Sequence, residues 1–190
     1  MLDTKGDHEC AKKGAWIAVH NQVVNVIKET ARQGNVQVEL EKTIIFAKGD
    51  VPSYKADLKF PNPIPGLTNG PALADVTFRN EFNSINIDQA SKKLGAAAEG
   101  GEKKKNKQYA QACRANGWEF IPLAFDRMGY ARPNVEKLAN YLIGERAFYI
   151  GMPFAESAQQ FWQDLAFAIH RTNARNVLQR YRNIAYARVQ

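Results

Sequence analysis

The chain has 190 residues, 45% of them hydrophobic, with a formal net charge of +7 and a pI near 9.4. This predicts one domain with a moderate core and a helical extension, and no apolar run reaches the roughly 18 to 20 residues of a membrane span. The acidic N-terminus is unlike a signal peptide. Two cysteines, Cys10 and Cys113, supply neither a disulfide framework nor a zinc site. The basic charge favours a polyanion as the partner. The cysteine usage favours a reducing compartment, nuclear or otherwise intracellular.

The first elements in chain order are a helix and a strand. Apolar residues recur at three- and four-residue spacing from about residue 15 to residue 33, which is typical of a helix. Gly34-Asn35 ends it. Residues 36–46 then alternate apolar and polar side chains, which predicts a strand.

Two further short strands each carry one isolated carboxylate. Residues 54–60 contain Asp57 and residues 72–78 contain Asp75, and a loop rich in Pro, Gly and Asn joins the two. A single Asp in a strand usually faces solvent, because strands accommodate Asp poorly. Two such residues among apolar neighbours favour a shared site over two solvated faces.

A basic helix and a buried strand complete the pattern. The run from Lys103 to Lys107 begins a helix that ends at Asn116-Gly117, and residues 118–125 are apolar enough for a strand buried on both sides. The predicted order is α-β-β-β-α-β around a central mixed sheet. Its buried positions are expected to include Phe46, Leu58, Val76, Ile121 and Leu123.

An acid on each of two neighbouring strands, with a lysine nearby, is what metal-dependent phosphodiester cleavage requires. Carboxylate oxygens hold a divalent cation such as Mg²⁺ or Mn²⁺. The metal polarises the phosphate and activates a water, and a lysine stabilises the charge that develops on the phosphate oxygens. No dinucleotide-binding, P-loop, serine-hydrolase or zincin motif is present in the sequence.

The order of these elements and several short motifs resemble the PD-(D/E)XK nucleases. The nearest branch is the restriction-like endonuclease domain of site-specific non-LTR retrotransposons. The resembling motifs are Gly6-Asp7-His8 with Cys10, His20-Asn21, Lys55-Ala56-Asp57, Ala74-Asp75-Val76-Thr77, the lysines before Tyr109, and Asn116-Gly117 leading to Phe120-Ile121-Pro122-Leu123. The resemblance covers about two thirds of the chain, and it implies a restriction-endonuclease-like fold and a Mg²⁺- or Mn²⁺-dependent endonuclease, with zinc unlikely.

The resemblance also implies roles for particular residues. Asp57 and Asp75 take the positions of the metal-binding carboxylates. In most of these nucleases the catalytic lysine follows the second acid by two residues, where this chain has Thr77. The retrotransposon branch carries it on the next helix, with a tyrosine four residues later, and Lys105 and Tyr109 fit that spacing. Residues four apart share a helix face, so both are expected at the metal site.

Several alternatives stay open around this site. Lys104 or Lys107 would replace Lys105 if the helix register differs. Glu29, Glu39 and Glu41 are possible helper acids, although exposed surface positions are expected for all three.

The chain divides into a core, residues 1–130, and a helical, arginine-rich extension, residues 131–190. After Asp164 the extension has no acid. One predicted helical stripe contains Phe161, Leu165, Ile169 and Thr172, and a second contains Leu178, Tyr181 and Ala185. The residues expected to contact nucleic acid are Lys103, Lys104, Lys107, Arg175, Arg180 and Arg182.

Two functions are compatible with the sequence. The first is a metal-dependent endonuclease derived from a retroelement, acting on DNA in preference to RNA. The second is a catalytically inactive descendant of the same fold, which serves as a nucleic-acid-binding or structural subunit of a larger complex. A protein that only binds has no need of Asp57, Asp75 and Lys105 together, which favours the first function.

Overall fold

The structure is a computed structural model that describes residues 13–47, 53–80 and 87–187. Its helices are α1 Lys13–Gln33, α2 Ile87–Ala90, α3 Ala96–Lys105, α4 Gln111–Ala115, α5 Pro133–Ile150 and α6 Phe154–Ala187. A π-helical turn, Asn106–Ala110, joins α3 to α4. The strands are β1 Glu39–Ile45, β2 Ser53–Phe60, β3 Ala72–Arg79 and β4 Glu119–Asp126.

The four strands form one mixed sheet in the order β1-β2-β3-β4. β1 pairs with β2 and β2 with β3 in antiparallel fashion, and β4 runs parallel to β3 after a helical crossover through α3 and α4. The α/β class, the mixed sheet and the predicted order of elements are therefore confirmed. Each strand begins and ends within three residues of its predicted bounds, and β2 and β3 are neighbours, as the proposed pairing of Asp57 with Asp75 requires.

Two apolar cores lie on opposite faces of the sheet. The alternation along β3 shows this, because Leu73 belongs to the smaller core while Ala72 and Ala74 belong to the larger one. Side chains from α1, α5 and α6 fill the larger core, and α4 covers the smaller. The positions predicted to be buried are all at most 7% exposed: Phe46, Leu58, Val76, Ile121 and Leu123.

The pairing of β2 with β3 covers only part of their length. Residues 58–60 pair with residues 72–74, whereas β1 pairs with β2 as far as Ser53 and β3 pairs with β4 throughout. One further step of the same register would set Asp57 opposite Asp75. The regular pairing of the two strands thus stops just before the carboxylates.

The backbone is also irregular at this point. On β2, Leu58 packs into the larger core and Ala56 into the smaller one, although residues two apart on a regular strand share a face. The strand therefore changes face at Asp57. The neighbouring strand is distorted at the same level, because Glu41 has a φ of 47° and is the one position of β1 between Leu40 and Ile45 without a register partner. Such a φ is uncommon for a residue with a side chain.

The extension consists of α5 and α6, which pack against α1. The first predicted stripe of α6 is buried, with Phe161 at 1% and Ile169 at 2% exposure. The second predicted stripe also lies on α6, where Leu178 is 59% exposed. The side chains of Tyr181 and Ala185 lie outside the described part. No helix in the described ranges has the length and apolarity of a membrane span.

Candidate functional site

Asp57 lies where the β2–β3 pairing ends, and its carboxylate reaches across to the backbone of β3. Oδ2 accepts a hydrogen bond of 2.7 Å from the backbone N–H of Val76 on β3. The β2–β3 ladder ends before Val76, and the carboxylate of Asp57 supplies an acceptor for the Val76 N–H in its place. The same oxygen lies 3.0 Å from Nε2 of His20, which reaches it from α1. Asp57 thus ties β2, β3 and α1 together at one point.

His20 is polarised by this contact. Burial by itself lowers the pKa of the imidazole, but the hydrogen bond and the charge of Asp57 outweigh it and raise the pKa above the ordinary value of 6.5. The other ring nitrogen, Nδ1, is 3.1 Å from Oδ1 of Asn21. A proton on His20 is therefore stabilised, and the ring is oriented from both sides.

Asp75 is the more deeply buried of the two acids, with its side chain 8% exposed compared with 19% for Asp57. Oδ1 accepts hydrogen bonds of 3.0 Å from the hydroxyl of Tyr54 and from Nζ of Lys105. Oδ2 lies 2.9 Å from the same Nζ, but it receives no well-directed hydrogen bond. One buried carboxylate oxygen thus retains capacity for a further cationic partner.

Burial and Lys105 have opposite effects on the pKa of Asp75. Burial raises the pKa of this carboxyl above its ordinary value, and Lys105 opposes that rise. The nearby charge of Asp57 raises it further, as two like charges near each other must. The carboxylates are therefore close enough to act on each other, and a divalent cation between them would relieve the repulsion.

An aromatic cluster positions Lys105. The rings of Tyr54 and Tyr109 lie 4.4 Å apart, and each ring is 5.8 Å from that of Phe120. Nζ of Lys105 is 5.5 Å from the centre of the Tyr109 ring, and the Tyr109 hydroxyl accepts a hydrogen bond of 2.8 Å from Gln108. Burial and the two nearby aspartates raise the pKa of Tyr54, so Tyr54 serves as a hydrogen-bond donor to Asp75.

The π-helical turn begins directly after Lys105. Such turns are rare and are frequently found at functional sites. Lys105 is half-buried against Asp75, whereas Lys103, Lys104 and Lys107 are exposed. Lys103 pairs with Glu99 at 2.7 Å. Of the four lysines, the structure places only Lys105 at the carboxylates.

The predicted site residues thus divide into two groups. Asp57, Asp75, Lys105 and Tyr109 are brought together, and the structure adds Tyr54. It also places His20 at Asp57, although the residues alone favoured packing or helix capping for His20 and only the family resemblance suggested a role near the site. The alternative acids are elsewhere, in surface ion pairs: Glu29 with Arg32, Glu39 with Lys59, and Glu41 with Lys55. Arg175 is exposed on α6, and the side chains of Arg180 and Arg182 lie outside the described residues.

The oxygen ligands at this site fit a hard divalent cation. Asp57 and Asp75 supply carboxylate oxygens, the donors that Mg²⁺ and Mn²⁺ prefer. The described residues contain no group of three or more His, Cys, Asp and Glu side chains that could hold a metal ion, so the remaining ligands would be water or substrate.

Cys113 is buried, and burial raises the pKa of its thiol to about 11. His8 and Cys10 lie outside the described residues.

Comparison with known proteins adds no name to this geometry. No protein-family model and no curated protein matches the sequence. The chemistry of the site therefore rests on the side chains themselves and on where the fold holds them.

Proposed function

We propose that the protein is a metal-dependent phosphodiesterase that cleaves nucleic acid, DNA in preference to RNA, in the manner of restriction-like endonucleases. The observation that supports this most strongly is the convergence of Asp57, Asp75 and Lys105 where β2 and β3 separate. Burying a carboxylate costs free energy unless its charge is paired and hydrogen-bonded or binds a metal ion. A second acid beside it increases that cost, which suits a site that binds a cation.

Each residue has a role in this proposal. Asp57 and Asp75 hold the metal, which supplies Lewis-acid polarisation of the phosphate and an activated water. Lys105 stabilises the charge that develops on the phosphate oxygens. Tyr54 orients Asp75, and His20 orients Asp57, because each donor bonds the carboxylate that would bind the metal.

The arrangement of the sheet supports the same class. The element order, the antiparallel β1-β2-β3 strands and the parallel β4 resemble the PD-(D/E)XK core. In the retrotransposon branch the lysine comes from the helix after the second acid, and here Lys105 on α3 contacts Asp75. The fold alone does not define a function, so the proposal depends on the site.

The direct experiment is nicking of supercoiled DNA with Mg²⁺ or Mn²⁺. Wild type should nick, Asp75→Asn should fall to background while still binding DNA, and Asp88→Asn should behave as wild type. Asp88 is the matched control because it is an exposed aspartate outside the site. Equal residual cleavage by wild type and Asp75→Asn would remove support for the proposal.

A second function is favoured by one observation at the same site. Asp75 is already neutralised by Lys105, and Asp57 already bonds Val76 and His20, so both acids have partners without a metal. A descendant that only binds nucleic acid within a larger complex is compatible with this. It predicts salt-dependent binding by wild type, with no cleavage and no response of binding to Mg²⁺ beyond ionic strength.

A further inference from the structure

A groove of about 390 Å³ lies between α1 and α6. The residues that line it follow one spacing on both helices, i, i+3, i+4, i+7, i+8 and i+11, starting from Gln22 on α1 and from Asp164 on α6. Each helix therefore presents a single face to the groove. Gln22 is two residues from His20, about 200° around the helix, so this α1–α6 groove is separate from the carboxylate site.

A buried arginine forms one end of the α1–α6 groove. Arg146 on α5 is 3% exposed and donates to the hydroxyl and the carbonyl oxygen of Ser157 and to Oε1 of Gln33. These bonds use three of its five N–H groups. The backbone at residue 34 approaches α5 so closely that only glycine fits, because a Cβ there would lie 2.7 Å from the backbone N of Arg146.

Arg146 lacks a direct counter-ion among the described residues, where it forms hydrogen bonds with neutral groups only. Burial lowers the pKa of its guanidinium, and the charge of the exposed Asp164 opposes that effect in part. A buried charge of this kind is costly unless an opposite charge reaches it. The end of the groove is therefore suited to an anion.

The rim of the groove increases the positive charge. Arg171 and Arg175 are exposed and line the groove, together with the amides of Gln22 and Asn25. Two acids also line it, but Glu29 is paired with Arg32 at 2.8 Å. Among the described lining residues, three arginines thus stand against Asp164, the one acid there without an ion pair, and this excess of positive charge selects for an anionic ligand.

An apolar wall stands beside the arginines. Phe167 lines the groove and is 68% exposed, and it lies one helical turn before Arg171. Val26 and Ala168 extend the apolar surface. An exposed ring next to arginines matches a ligand with a flat apolar group linked to a phosphate, since bases stack on aromatic side chains and arginine bonds phosphate in a fork geometry.

We propose that the α1–α6 groove binds a nucleoside monophosphate, with the phosphate on Arg146 and Arg171 and the base against Phe167. The ligand is either a free nucleotide or the phosphorylated end of a nucleic-acid strand, which present the same chemistry. This site does not depend on the proposed cleavage activity, because none of its residues contacts Asp57, Asp75 or Lys105.

The experiment is calorimetric titration of the protein, in metal-free buffer, with 5′-AMP and with 5′-dTMP. Arg171→Gln should weaken binding about five- to tenfold, the effect of one charge-assisted hydrogen bond at a partly solvated rim. Phe167→Ala should weaken it about tenfold through lost stacking. Arg146→Lys keeps the charge but loses the fork geometry, and it should weaken binding if the variant remains folded by circular dichroism.

Matched controls remove the same chemistry elsewhere. Arg114→Gln deletes an exposed arginine on α4, and Phe148→Ala deletes a ring that is 86% exposed on α5. Both should bind the nucleotides as wild type does. Equal losses in Arg171→Gln and Arg114→Gln, or equal affinity for adenosine and 5′-AMP, would overturn the proposal. No measurable binding of any phosphorylated ligand would overturn it as well.

Two further ligands distinguish the sources of the phosphate. A 5′-phosphorylated oligonucleotide is compared with its 5′-hydroxyl form, both titrated into Asp75→Asn protein so that they remain intact. Binding of the mononucleotides identifies a free nucleotide as sufficient. Preference for the phosphorylated oligonucleotide, lost in Arg171→Gln, assigns the groove to strand ends. Either result supports the site, and a failure here leaves the nicking experiment unaffected.

Discussion

The two halves of the β2–β3 strand pair differ in both packing and chemistry. In the paired half, residues 58–60 and 72–74 complete a regular ladder, and Leu58 and Ala74 are fully buried. In the separated half the ladder is absent, and the partners of Asp57 and Asp75 are side chains or a single backbone amide. The same two strands thus provide a regular ladder and, one residue further on, the candidate site.

The difference shows how a sheet can hold two acids side by side. In the separated half, side-chain contacts of Asp57 and Asp75 take the place of the ladder, while β1 and β4 still hold both strands in place. Stability should therefore depend on the paired half, and activity on the separated half.

The largest expected effect is on activity in the separated half. Lys105→Met should lower the rate of cleavage by about a hundred- to a thousandfold, because it removes one group that stabilises transition-state charge. Lys137→Met, exposed on α5 and away from the carboxylates, is the matched control and should retain most of the activity. Single-turnover cleavage measures both. Comparable losses in the two variants would assign the lysines to general attraction of DNA.

The paired half should respond in stability. Leu58 is fully buried, so Leu58→Ala should cost about 2 to 5 kcal/mol of the free energy of unfolding. Lys55→Ala, exposed on the same strand, should change it by no more than about 0.5 kcal/mol. Urea denaturation measures this, and cleavage per folded molecule should be unchanged in both. A Leu58→Ala protein of normal stability would contradict the division between the halves.

Lysines and arginines outside the separated half should also contribute to nucleic-acid binding, through contacts with phosphate groups. Replacing Lys104 and Lys107 by Ala should reduce the slope of log affinity against log salt by about 1.8, or 0.9 per phosphate contact on duplex DNA. Replacing Arg175, Arg180 and Arg182 by Ala should reduce it by about two to three units if all three contact phosphate. Filter binding over a range of salt concentrations measures the slopes. An unchanged slope in the arginine variant would make α6 an assembly surface.

The smallest expected effect is a pH dependence at His20. Its pKa is raised in the folded protein, so the protonated ring stabilises the fold. That contribution is complete below the ordinary pKa of 6.5 and is lost as the pH rises through the higher folded value. In metal-free buffer, the stability advantage of wild type over His20→Gln should therefore shrink between about pH 6 and pH 8. An advantage that grows with pH would contradict the Asp57 contact.

Much of the fold is predictable from the sequence because buried apolar residues recur along the chain with the spacing of a helix or a strand. Alternation marks β1, and Leu58, Val76 and Ile121 are apolar for the simple reason that they face the core. Periodicity alone does not tell whether a neighbouring element covers a helical stripe, and Leu178 in the second stripe of α6 is 59% exposed.

The site is less predictable, since it depends on where a ladder stops. The sequences of β2 and β3 do not show that their pairing ends at Leu58 and Ala74. Tyr54 reads as an ordinary strand residue, and its bond to Asp75 arises only because β2 changes face at Asp57. The spacing of Lys105 and Tyr109 did place both on one helix face, and their contact follows from it.

The most direct test of the central claim is the binding of Mn²⁺, measured by electron paramagnetic resonance as free ion remaining in solution. Wild type should bind Mn²⁺ at the carboxylates, Asp57→Asn and Asp75→Asn should each lose that site, and Asp88→Asn should retain it. Binding of Mn²⁺ that is equal in all four proteins, or absent from wild type, would contradict a metal-dependent site between β2 and β3.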